Sequence, residues 1–367
     1  MKVVALSPYH GGSHRQFFEH WMSRSRHSWT LLDYPARHFK WRIRQAAVGF
    51  AERLANGETE ATFDAIFCTS LLDAAELRGL LPRAHRCLPL IVYFHENQFS
   101  YPVRQRDERD VHFGLINWAS ALAADGVWFN SEYNRQTFLS GARGLLRKMP
   151  DHRSLHSLQV ISEKSTVEPP CIEFESRPRR QPGGPMRLGW VARWEHDKRP
   201  DLFFSAMQAL KERGLDFELV LLGQRFAKTP PELEALSLTM GQSVVHCGYL
   251  EKRSDYLDQL ATCDVVVSTA DHEFFGIALL EAASLGCLPL VPERLVYPEI
   301  FPPEYRYDGT VAHLVNRVCE LARRKNAKAP LDAGSSERLS ALVAPYDART
   351  RVPQLDAALD RDAGQRK

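Results

Sequence analysis

The sequence lacks the features that would place the protein in a membrane or in an oxidising compartment. No apolar run approaches the roughly 18 residues that a membrane-spanning helix requires. Met1 and Lys2 lead straight into an apolar strand pattern, without the hydrophobic segment of a secretion signal. The seven cysteines are odd in number and form no C-x-x-C pair, which argues against a disulfide framework and a zinc site. We therefore expect a cytoplasmic protein with reduced thiols and no membrane partner.

The chain also lacks a strong excess of charge of either sign. It has 47 Lys and Arg residues against 45 Asp and Glu, a net charge of +2 and a pI near 8.1. Such a balance gives only a mild preference for polyanions, so binding to nucleic acid would need a local basic patch. A D-x-D pattern occurs only at Asp360–Asp362, in a polar tail and not at a strand end, and we expect no metal.

What the sequence does contain is an alternation of strand and helix patterns that predicts two parallel α/β sheets. At 367 residues, with 44% hydrophobic and 25% charged residues, the chain is long enough for two domains with separate cores. The strands predicted in the first half are 3–6, 65–68, 90–94 and 126–129, and residues 145–170 are interpreted as irregular. The strands predicted in the second half are 187–191, 218–222, 244–247, 264–269 and 288–291.

An Arg-, Pro- and Gly-rich segment at residues 176–186 predicts the domain boundary, since its composition is typical of an exposed linker. We therefore expect an N-terminal domain of residues 1–175 and a C-terminal domain of residues 187–346. The remainder, residues 347–367, is predicted to form a helix followed by a polar tail.

Two carboxylates flank a predicted helix start in the stretch His272–Glu281, which follows an apolar strand pattern. Glu273 falls on the loop and Glu281 in the helix. A helix N-terminus and the free amides around Gly276 favour an anion, whereas carboxylates accept hydrogen bonds from sugar hydroxyls. Together these groups predict a pocket for a sugar attached to a phosphate. An ordinary strand–helix unit with an acidic residue at its turn is the alternative.

Two cations follow the strand predicted at residues 187–191: Arg193 and Lys198. Ligands of open α/β sheets bind outside the carboxyl ends of the strands, so these cations and the two carboxylates should share one crevice. A guanidinium and an ammonium suit a diphosphate, and they would neutralise charge on a phosphate leaving group. A solvated basic turn is the alternative.

Strand ends also supply the other candidate ligand-binding residues. Gly11 and Gly12 follow the first strand and allow the backbone to approach a phosphate or a sugar, and Gly223 would do so after a later strand. His95 ends the strand 90–94, where an imidazole can donate to sugar hydroxyls or to a developing charge. Simple turns, and for His95 a structural role, are the alternatives.

Cationic and aromatic side chains alternate between residues 34 and 44. Ammonium and guanidinium groups meet phosphates, while Phe39 or Trp41 can stack on an unpaired base, so the segment is the best RNA-binding candidate. An amphipathic helix start with core aromatics and solvated cations explains the sequence equally well. The candidate RNA-binding residues are Arg37, Lys40, Trp41, Arg42 and Arg44, followed by Arg104 and Arg106 in a segment of mixed charge.

The order of several motifs resembles a known enzyme family. The spacing of Arg193, Lys198, Glu273 and Glu281 is similar to the donor site of retaining GT-B glycosyltransferases. More specific is a series that closely resembles the tRNA-queuosine mannosyltransferase family over nearly the whole chain. The motifs of that series are Tyr9–His14, Tyr93–Gln98, Pro150–Arg153, Arg193–Lys198, His272–Gly276 and Leu295–Pro302.

This resemblance implies a GT-B fold, in which two Rossmann-like parallel-sheet domains face a central cleft and the terminal helix returns to the first domain. It implies transfer of mannose from GDP-mannose, by a retaining mechanism, to the cyclopentenediol of queuosine at the wobble position of tRNA. The expected partners are therefore a nucleotide sugar and queuosine-containing tRNA, with no metal cofactor.

The resemblance also implies roles for single residues. Arg193 and Lys198 would contact the diphosphate and Glu281 the ribose. The acceptor would enter near His95, and the loop with Gly11 and Gly12 would face the donor. The mannose would be held by Glu273 and the amides of Phe274, Phe275 and Gly276, and the donor base would contact Tyr249 and Leu250.

Three classes of function stay open on the sequence. The ordered motif series favours the tRNA mannosyltransferase. The donor motifs alone are also compatible with a glycosyltransferase that uses another nucleotide sugar or a small-molecule, lipid or protein acceptor. The third class is a catalytically silent RNA-binding protein on the same scaffold, against which the intact Arg193, Lys198, Glu273 and Glu281 argue.

Overall fold

The chain divides into two compact units in a computed structural model. The first unit contains Met1–Glu173 and Tyr346–Lys367, and the second contains Phe174–Pro345. The structure describes residues 1–58, 62–100, 110–180, 183–223, 239–331 and 335–364.

A six-stranded parallel sheet forms the centre of the first unit, in the order β2-β1-β3-β4-β5-β6. Its strands are β1 Lys2–His10, β2 Ser28–Pro35, β3 Ala65–Thr69, β4 Leu90–Phe94, β5 Gly126–Phe129 and β6 Ser165–Val167. Strands β3, β4 and β5 are buried at every position, because central parallel strands are covered by helices on both faces. The helices are Gly12–Met22, Phe39–Ala55, Ala74–Leu80, Arg83–Arg86, Val111–Ala123, Glu132–Leu146, Ser157–Glu163 and Ala348–Gly364.

The last of these helices, Ala348–Gly364, is part of the core of the first unit. Leu355 and Leu359 are fully buried in a cluster with Trp21. The indole Nε1 of Trp21 donates a hydrogen bond of 2.8 Å to Asp356 Oδ1. The end of the chain therefore packs against its beginning, through both apolar contacts and a buried hydrogen bond.

A second six-stranded parallel sheet forms the centre of the second unit, in the order β12-β11-β10-β7-β8-β9. Its strands are β7 Met186–Val191, β8 Phe217–Leu222, β9 Val244–Gly248, β10 Val265–Val267, β11 Leu288–Pro292 and β12 Arg306–Tyr307. Because β7 and β10 are neighbours, the loops that follow them lie side by side. The helices are Pro200–Glu212, Arg253–Ala261, Ile277–Ser284, Tyr297–Ile300, Val311–Asn326 and Ser335–Val343.

The segment predicted as a linker is instead attached to the second unit as far as Arg180. Arg179 Nη1 donates to the carbonyl of Leu285 at 2.8 Å, and Arg177 Nε lies 3.0 Å from Asp258 Oδ1. These arginines contact the second unit, where an exposed linker would have left them in solvent. The second unit therefore begins before the predicted linker and not after it.

Strands β2 and β6 and the helix Ser157–Glu163 were not predicted from the sequence. β2 is an edge strand whose positions are mostly half-buried or exposed, and β6 has only three residues, all half-buried. Neither has the continuous apolar run of a central strand. Within the described ranges, no helix combines the length and the apolar character needed to span a bilayer.

Candidate functional site

Lys198 and Glu273 come together beside the carboxyl ends of β7 and β10. Lys198 lies in the 3-10 turn His196–Lys198, and Glu273 lies in the loop before the helix Ile277–Ser284. The ammonium Nζ of Lys198 donates to the carbonyl of His272 at 2.6 Å and to Glu273 Oε2 at 3.4 Å. Lys198 is only 8% exposed, so the ammonium lies in a site where its charge is weakly screened.

The Glu273 carboxylate is held by both charge and backbone amides. Its Oε1 accepts hydrogen bonds from the amides of Phe274 and Phe275, at 3.1 and 3.3 Å. Burial opposes ionisation, but the Lys198 ammonium and the Phe275 amide outweigh it and hold the pKa of Glu273 below its usual value. Two of the amides predicted to contact a sugar therefore orient this carboxylate in the structure.

Hydrogen bonds between the two loops fix the positions of Lys198 and Glu273. The Thr269 hydroxyl, after β10, donates to the carbonyl of Lys198 at 2.7 Å, and the amide of Asp271 donates to the carbonyl of Asp197 at 2.8 Å.

Gly276 has a φ of +88°, and a Cβ there would lie 3.3 Å from Tyr297 Cε1. The glycine is therefore required by its left-handed backbone and by the ring beside it.

Glu281 is buried and bonded by two side chains that the sequence did not indicate. Its Oε1 accepts from Arg253 Nη2 at 2.8 Å and its Oε2 from the Tyr256 hydroxyl at 2.9 Å. Burial and the neighbouring carboxylate raise the pKa of Tyr256 well above its usual value, so Tyr256 is a donor at neutral pH. A carboxylate offers about four acceptor positions, so these two hydrogen bonds leave part of the acceptor capacity of Glu281 unused.

Arg193 contrasts with Lys198 in its exposure. Its side chain is 47% exposed and its Nη1 lies 3.3 Å from Glu195 Oε2. Gly223, at the end of β8, packs against the same segment, since a Cβ there would lie 1.8 Å from the carbonyl oxygen of Ala192. Close backbone packing thus explains the glycine.

Tyr249 and Leu250 follow the edge strand β9, which is two strands away from β7 in the sheet. Tyr249 is 60% exposed, and Leu250 is half-buried. The structure therefore places these two residues farther along the carboxyl edge of the sheet than Arg193 and Lys198, which follow β7.

In the first unit, His95 lies against His14, a residue to which the sequence analysis gave no role. Their ring centroids are 4.1 Å apart, and His14 Nε2 lies 3.3 Å from Glu96 Oε2. Burial, with a smaller contribution from His14, holds the pKa of His95 well below its usual value. No group among the described residues bonds to His95 Nε2. His95 is therefore a buried, neutral imidazole at the carboxyl end of β4.

Gly11 and Gly12 form the turn between β1 and the helix that carries His14. A Cβ on Gly11 would lie 2.4 Å from the Cβ of Ala36, and Gly12 has a φ of +52° with open space around it. Gly11 is thus required by packing and Gly12 by backbone conformation. The turn places His14 within the first turn of its helix.

The predicted RNA-binding segment divides into exposed and engaged side chains. Trp41 is 61% exposed, and Arg37 and Lys40 are exposed as well. Arg42 stacks on the Tyr34 ring, 4.7 Å from its centroid, and Arg44 Nη2 donates to Asp110 at 2.7 Å.

Phe39, the other predicted stacking residue, is partly buried against the small cluster that contains Ile43, Leu71 and Phe113. In this segment Trp41 is therefore the exposed aromatic ring, whereas Phe39 contributes to packing. The predicted RNA-binding residues Arg104 and Arg106 lie outside the described residues.

Comparison with known proteins identifies the family. Residues 2–172 match the family described as tRNA-queuosine alpha-mannosyltransferase N-terminal, and residues 172–323 match glycosyl transferases group 1. The chain is 38% identical, over 322 residues, to the tRNA-queuosine alpha-mannosyltransferase of Drosophila melanogaster, with 84% of each chain covered. The chain belongs to the tRNA-queuosine alpha-mannosyltransferase family. The predicted family is thereby confirmed.

More distant relatives share single regions or the fold. A GDP-mannose-dependent alpha-(1-6)-phosphatidylinositol dimannoside mannosyltransferase of Mycobacterium tuberculosis is 29% identical over 104 residues, 28% of this chain and 26% of the relative. Sucrose-phosphate synthase from Thermosynechococcus elongatus has a similar structure, with a TM-score of 0.71, 14% identity and full coverage of both chains. HepE from Anabaena, solved with UDP and glucose, has a TM-score of 0.67 and 14% identity, covering 98% of this chain and 99% of its own. With the two parallel sheets, these similarities confirm the predicted α/β, GT-B fold.

Proposed function

We propose that this member of the tRNA-queuosine alpha-mannosyltransferase family transfers mannose from GDP-mannose to the cyclopentenediol of queuosine in tRNA, with retention at the anomeric carbon. The family and the Drosophila relative support mannosyl transfer to queuosine. The GDP-mannose dependence in the name of the mycobacterial relative supports the donor. Because tRNA is the acceptor, the proposed place of action is the cytoplasm.

The observation that carries the proposal is the buried ammonium of Lys198 beside the Glu273 carboxylate. Lys198 Nζ and Glu273 Oε2 are 3.4 Å apart, where the neighbouring strands β7 and β10 end. Lys198, with Arg193 on the same loop, would neutralise the diphosphate as its bond to the sugar breaks. A cation in a poorly screened site stabilises that developing charge more than it would in water.

The carboxylates would hold the two sugars of the donor. Glu273 has a lowered pKa, so it is ionised at neutral pH and accepts hydrogen bonds from mannose hydroxyls. Glu281 would accept from the ribose while Arg253 and Tyr256 hold it in place. Tyr249 and Leu250 would contact the guanine base.

The first unit would supply His95 as the group that meets the acceptor. Its neutral ring can donate to a hydroxyl or accept from one without adding charge. In the proposed step, the bond from the anomeric carbon to the phosphate oxygen breaks, and a bond to the acceptor oxygen forms on the same face. The acceptor attacks directly and its proton passes to the leaving phosphate, so the proposed step needs no protein nucleophile. Arg193 and Lys198 would supply the positive charge that a metal ion would otherwise bring to the diphosphate.

The proposal is tested by adding GDP-mannose labelled in the sugar to tRNA pools from cells with and without queuosine. Label should enter only the queuosine-containing tRNA pool. Nuclease digestion of that tRNA should release labelled mannosyl-queuosine. The rate should survive EDTA. Transfer from UDP-glucose in preference to GDP-mannose would replace the donor, and equal labelling of both tRNA pools would refute the acceptor.

Two variants link the reaction to the proposed site. Glu273→Ala should abolish transfer while the thermal midpoint and the circular dichroism spectrum stay those of a folded protein. Glu212→Ala, at an exposed position on the helix Pro200–Glu212, is the matched control and should transfer at the wild-type rate. A fully active Glu273→Ala enzyme would remove the site from the proposal.

A further inference from the structure

A group of exposed cations lies at the end of the helix Glu132–Leu146 and in the turn that follows it. Arg143, Arg147, Lys148 and Arg153 are all exposed, and we refer to these four residues as the basic patch. Asp151 is the one carboxylate between residues 143 and 156. Within the described part of the chain, no carboxylate forms an ion pair with any member of the patch.

Other cations of the first unit are neutralised by ion pairs, including one on the same helix. Arg135, earlier on the same helix, pairs with Glu132 at 3.1 Å, and Arg78 pairs with Asp125 at 2.7 Å. Like charges four residues apart on a helix repel each other, as Arg143 and Arg147 do here. The patch therefore concentrates positive charge in a chain whose net charge is only +2.

The helix dipole accounts for only part of the patch. The C-terminal end of a helix carries a partial negative charge that favours cations in its last turn, and Arg143 lies there. Arg147 and Lys148 lie just past Leu146, the last helical residue, and Arg153 lies farther along the turn. Stabilisation of the helix end therefore leaves the positive charge of the following turn unexplained.

The turn after the helix holds its residues in a defined conformation. His152 and Ser154 have φ angles of 39° and 46°, in the left-handed region that residues other than glycine avoid. The Ser154 hydroxyl donates to the carbonyl of His152 at 3.0 Å. Arg153 Nε donates to the carbonyl of Met149 at 3.1 Å, which ties its guanidinium to the helix end. Strained backbone of this kind persists where its surroundings fix it, often in ligand-binding segments.

We propose that the basic patch binds the sugar–phosphate backbone of the tRNA away from the modified nucleotide. The inference rests on the proposed function, which makes a tRNA the acceptor. Side chains that neutralise phosphates supply affinity and orientation without reading sequence. The patch has the cations for this task, whereas the exposed ring of Trp41 in the predicted RNA-binding segment is suited to stacking. The motif Pro150–Arg153 thereby acquires a role.

The test compares two double variants that each remove two exposed positive charges. Arg147→Gln/Lys148→Gln neutralises half of the patch. Arg83→Gln/Lys328→Gln, at two exposed positions outside it, is the matched control. For each protein, KM for queuosine-containing tRNA, KM for GDP-mannose and kcat are measured, together with the salt dependence of tRNA binding by fluorescence anisotropy.

For the patch variant we expect the KM for tRNA to rise roughly 10- to 30-fold at about 0.15 M salt, because two cations no longer neutralise phosphates. The slope of log affinity against log salt concentration should become shallower by about 2. The kcat and the KM for GDP-mannose should keep their wild-type values, and so should the thermal midpoint. The control variant should bind tRNA with wild-type affinity and salt slope.

Each contrary outcome has a distinct meaning. A wild-type protein that transfers no mannose to tRNA overturns the proposed function. If the wild type transfers mannose but the patch variant keeps its KM and salt slope, the patch inference alone is overturned. Equal losses of affinity in the control would overturn it as well, because total charge and not the patch would then govern binding. Weaker binding to vesicles of anionic phospholipid with unchanged tRNA affinity would assign the patch to a lipid surface instead.

Discussion

The candidate carboxylate Glu273 in the second unit is ionised, whereas the candidate imidazole His95 in the first unit is neutral. In the second unit, the Lys198 ammonium lies 3.4 Å from the Glu273 carboxylate and holds the pKa of Glu273 below its usual value, so the carboxylate is ionised at neutral pH. In the first unit, His95 is buried beside another imidazole, His14, and is neutral. Burial alone does not decide whether a group keeps its charge; the neighbour does.

This difference suits the two halves of the proposed reaction. A diphosphate leaving group gains negative charge, and a fixed ammonium that is already ionised can stabilise it without reorganisation. An acceptor hydroxyl is neutral, and a neutral imidazole can bond to it in either direction. We therefore expect substitutions of Lys198 and Glu273 to slow the chemical step. Substitutions of His95 should change how the stability of the protein depends on pH.

The largest expected effect comes from removing the ammonium. Lys198→Ala should lower kcat by about 10²- to 10³-fold, the range seen when one preorganised donor to a developing charge is lost. The measurement is steady-state mannosyl transfer with both substrates varied. Lys211→Ala, whose ammonium donates to the carbonyl of Thr239 on an exposed surface, is the control and should keep the wild-type kcat. A kcat for Lys198→Ala close to that of the wild type would contradict the comparison.

The next largest effect concerns packing in the first unit. Gly11→Ala places a Cβ 2.4 Å from that of Ala36 and should destabilise the protein by roughly 1–3 kcal/mol. Gly12→Ala meets open space but has a φ of +52° and should cost about 1 kcal/mol. Urea denaturation at neutral pH measures both free energies of unfolding. If Gly12→Ala destabilised the protein more than Gly11→Ala, backbone strain and not packing would determine the turn that precedes His14.

Much of the fold was visible in the sequence, for a physical reason. Strands buried on both faces, such as β3 and β4, are continuous apolar runs, whereas the edge strands β2 and β6 are not. Lys198 and Glu273 were predicted to share a site because ligands bind where parallel strands end. That rule needs only the order of strands and helices along the chain, which can be read directly from the sequence.

The remaining contacts depend on how side chains from separate elements meet. Arg253 and Glu281 are 28 residues apart and on different helices, and neither helix pattern indicates that they pair. His14 lay within the motif Tyr9–His14, but its contact with His95 requires the first helix to pack beside the end of β4. The segment that contains Arg177 and Arg179 was predicted as an exposed linker because composition does not indicate which groups its side chains reach.

The buried His95 should make the stability of the protein sensitive to acid. The pKa of His95 is well below its usual value of about 6.5 in the folded state, so the unfolded chain takes up a proton first as the pH falls. Stability should therefore be retained above about pH 6.5 and lost as the pH falls through that value. In urea denaturation one pH unit above and one below it, His95→Phe should lose less stability between the two conditions than the wild type. His112→Phe, at an exposed position, should behave as the wild type does.

The smallest effect is expected from Glu273, because its side chain is 27% exposed and solvent screens part of its interaction with Lys198. Its folded-state pKa lies below the ordinary value of 4.5, so its contribution to stability is present above that pH and is lost as the pH falls below it. Lys198→Met removes the charge that lowers this pKa. The stability difference between wild type and Lys198→Met should therefore be largest at neutral pH and should shrink below pH 4.5, as measured by urea denaturation. In a Glu273→Gln background the same lysine substitution should lack this pH dependence, because no carboxyl group at position 273 remains to titrate; a difference that persists there would assign the effect to the neighbouring Asp197.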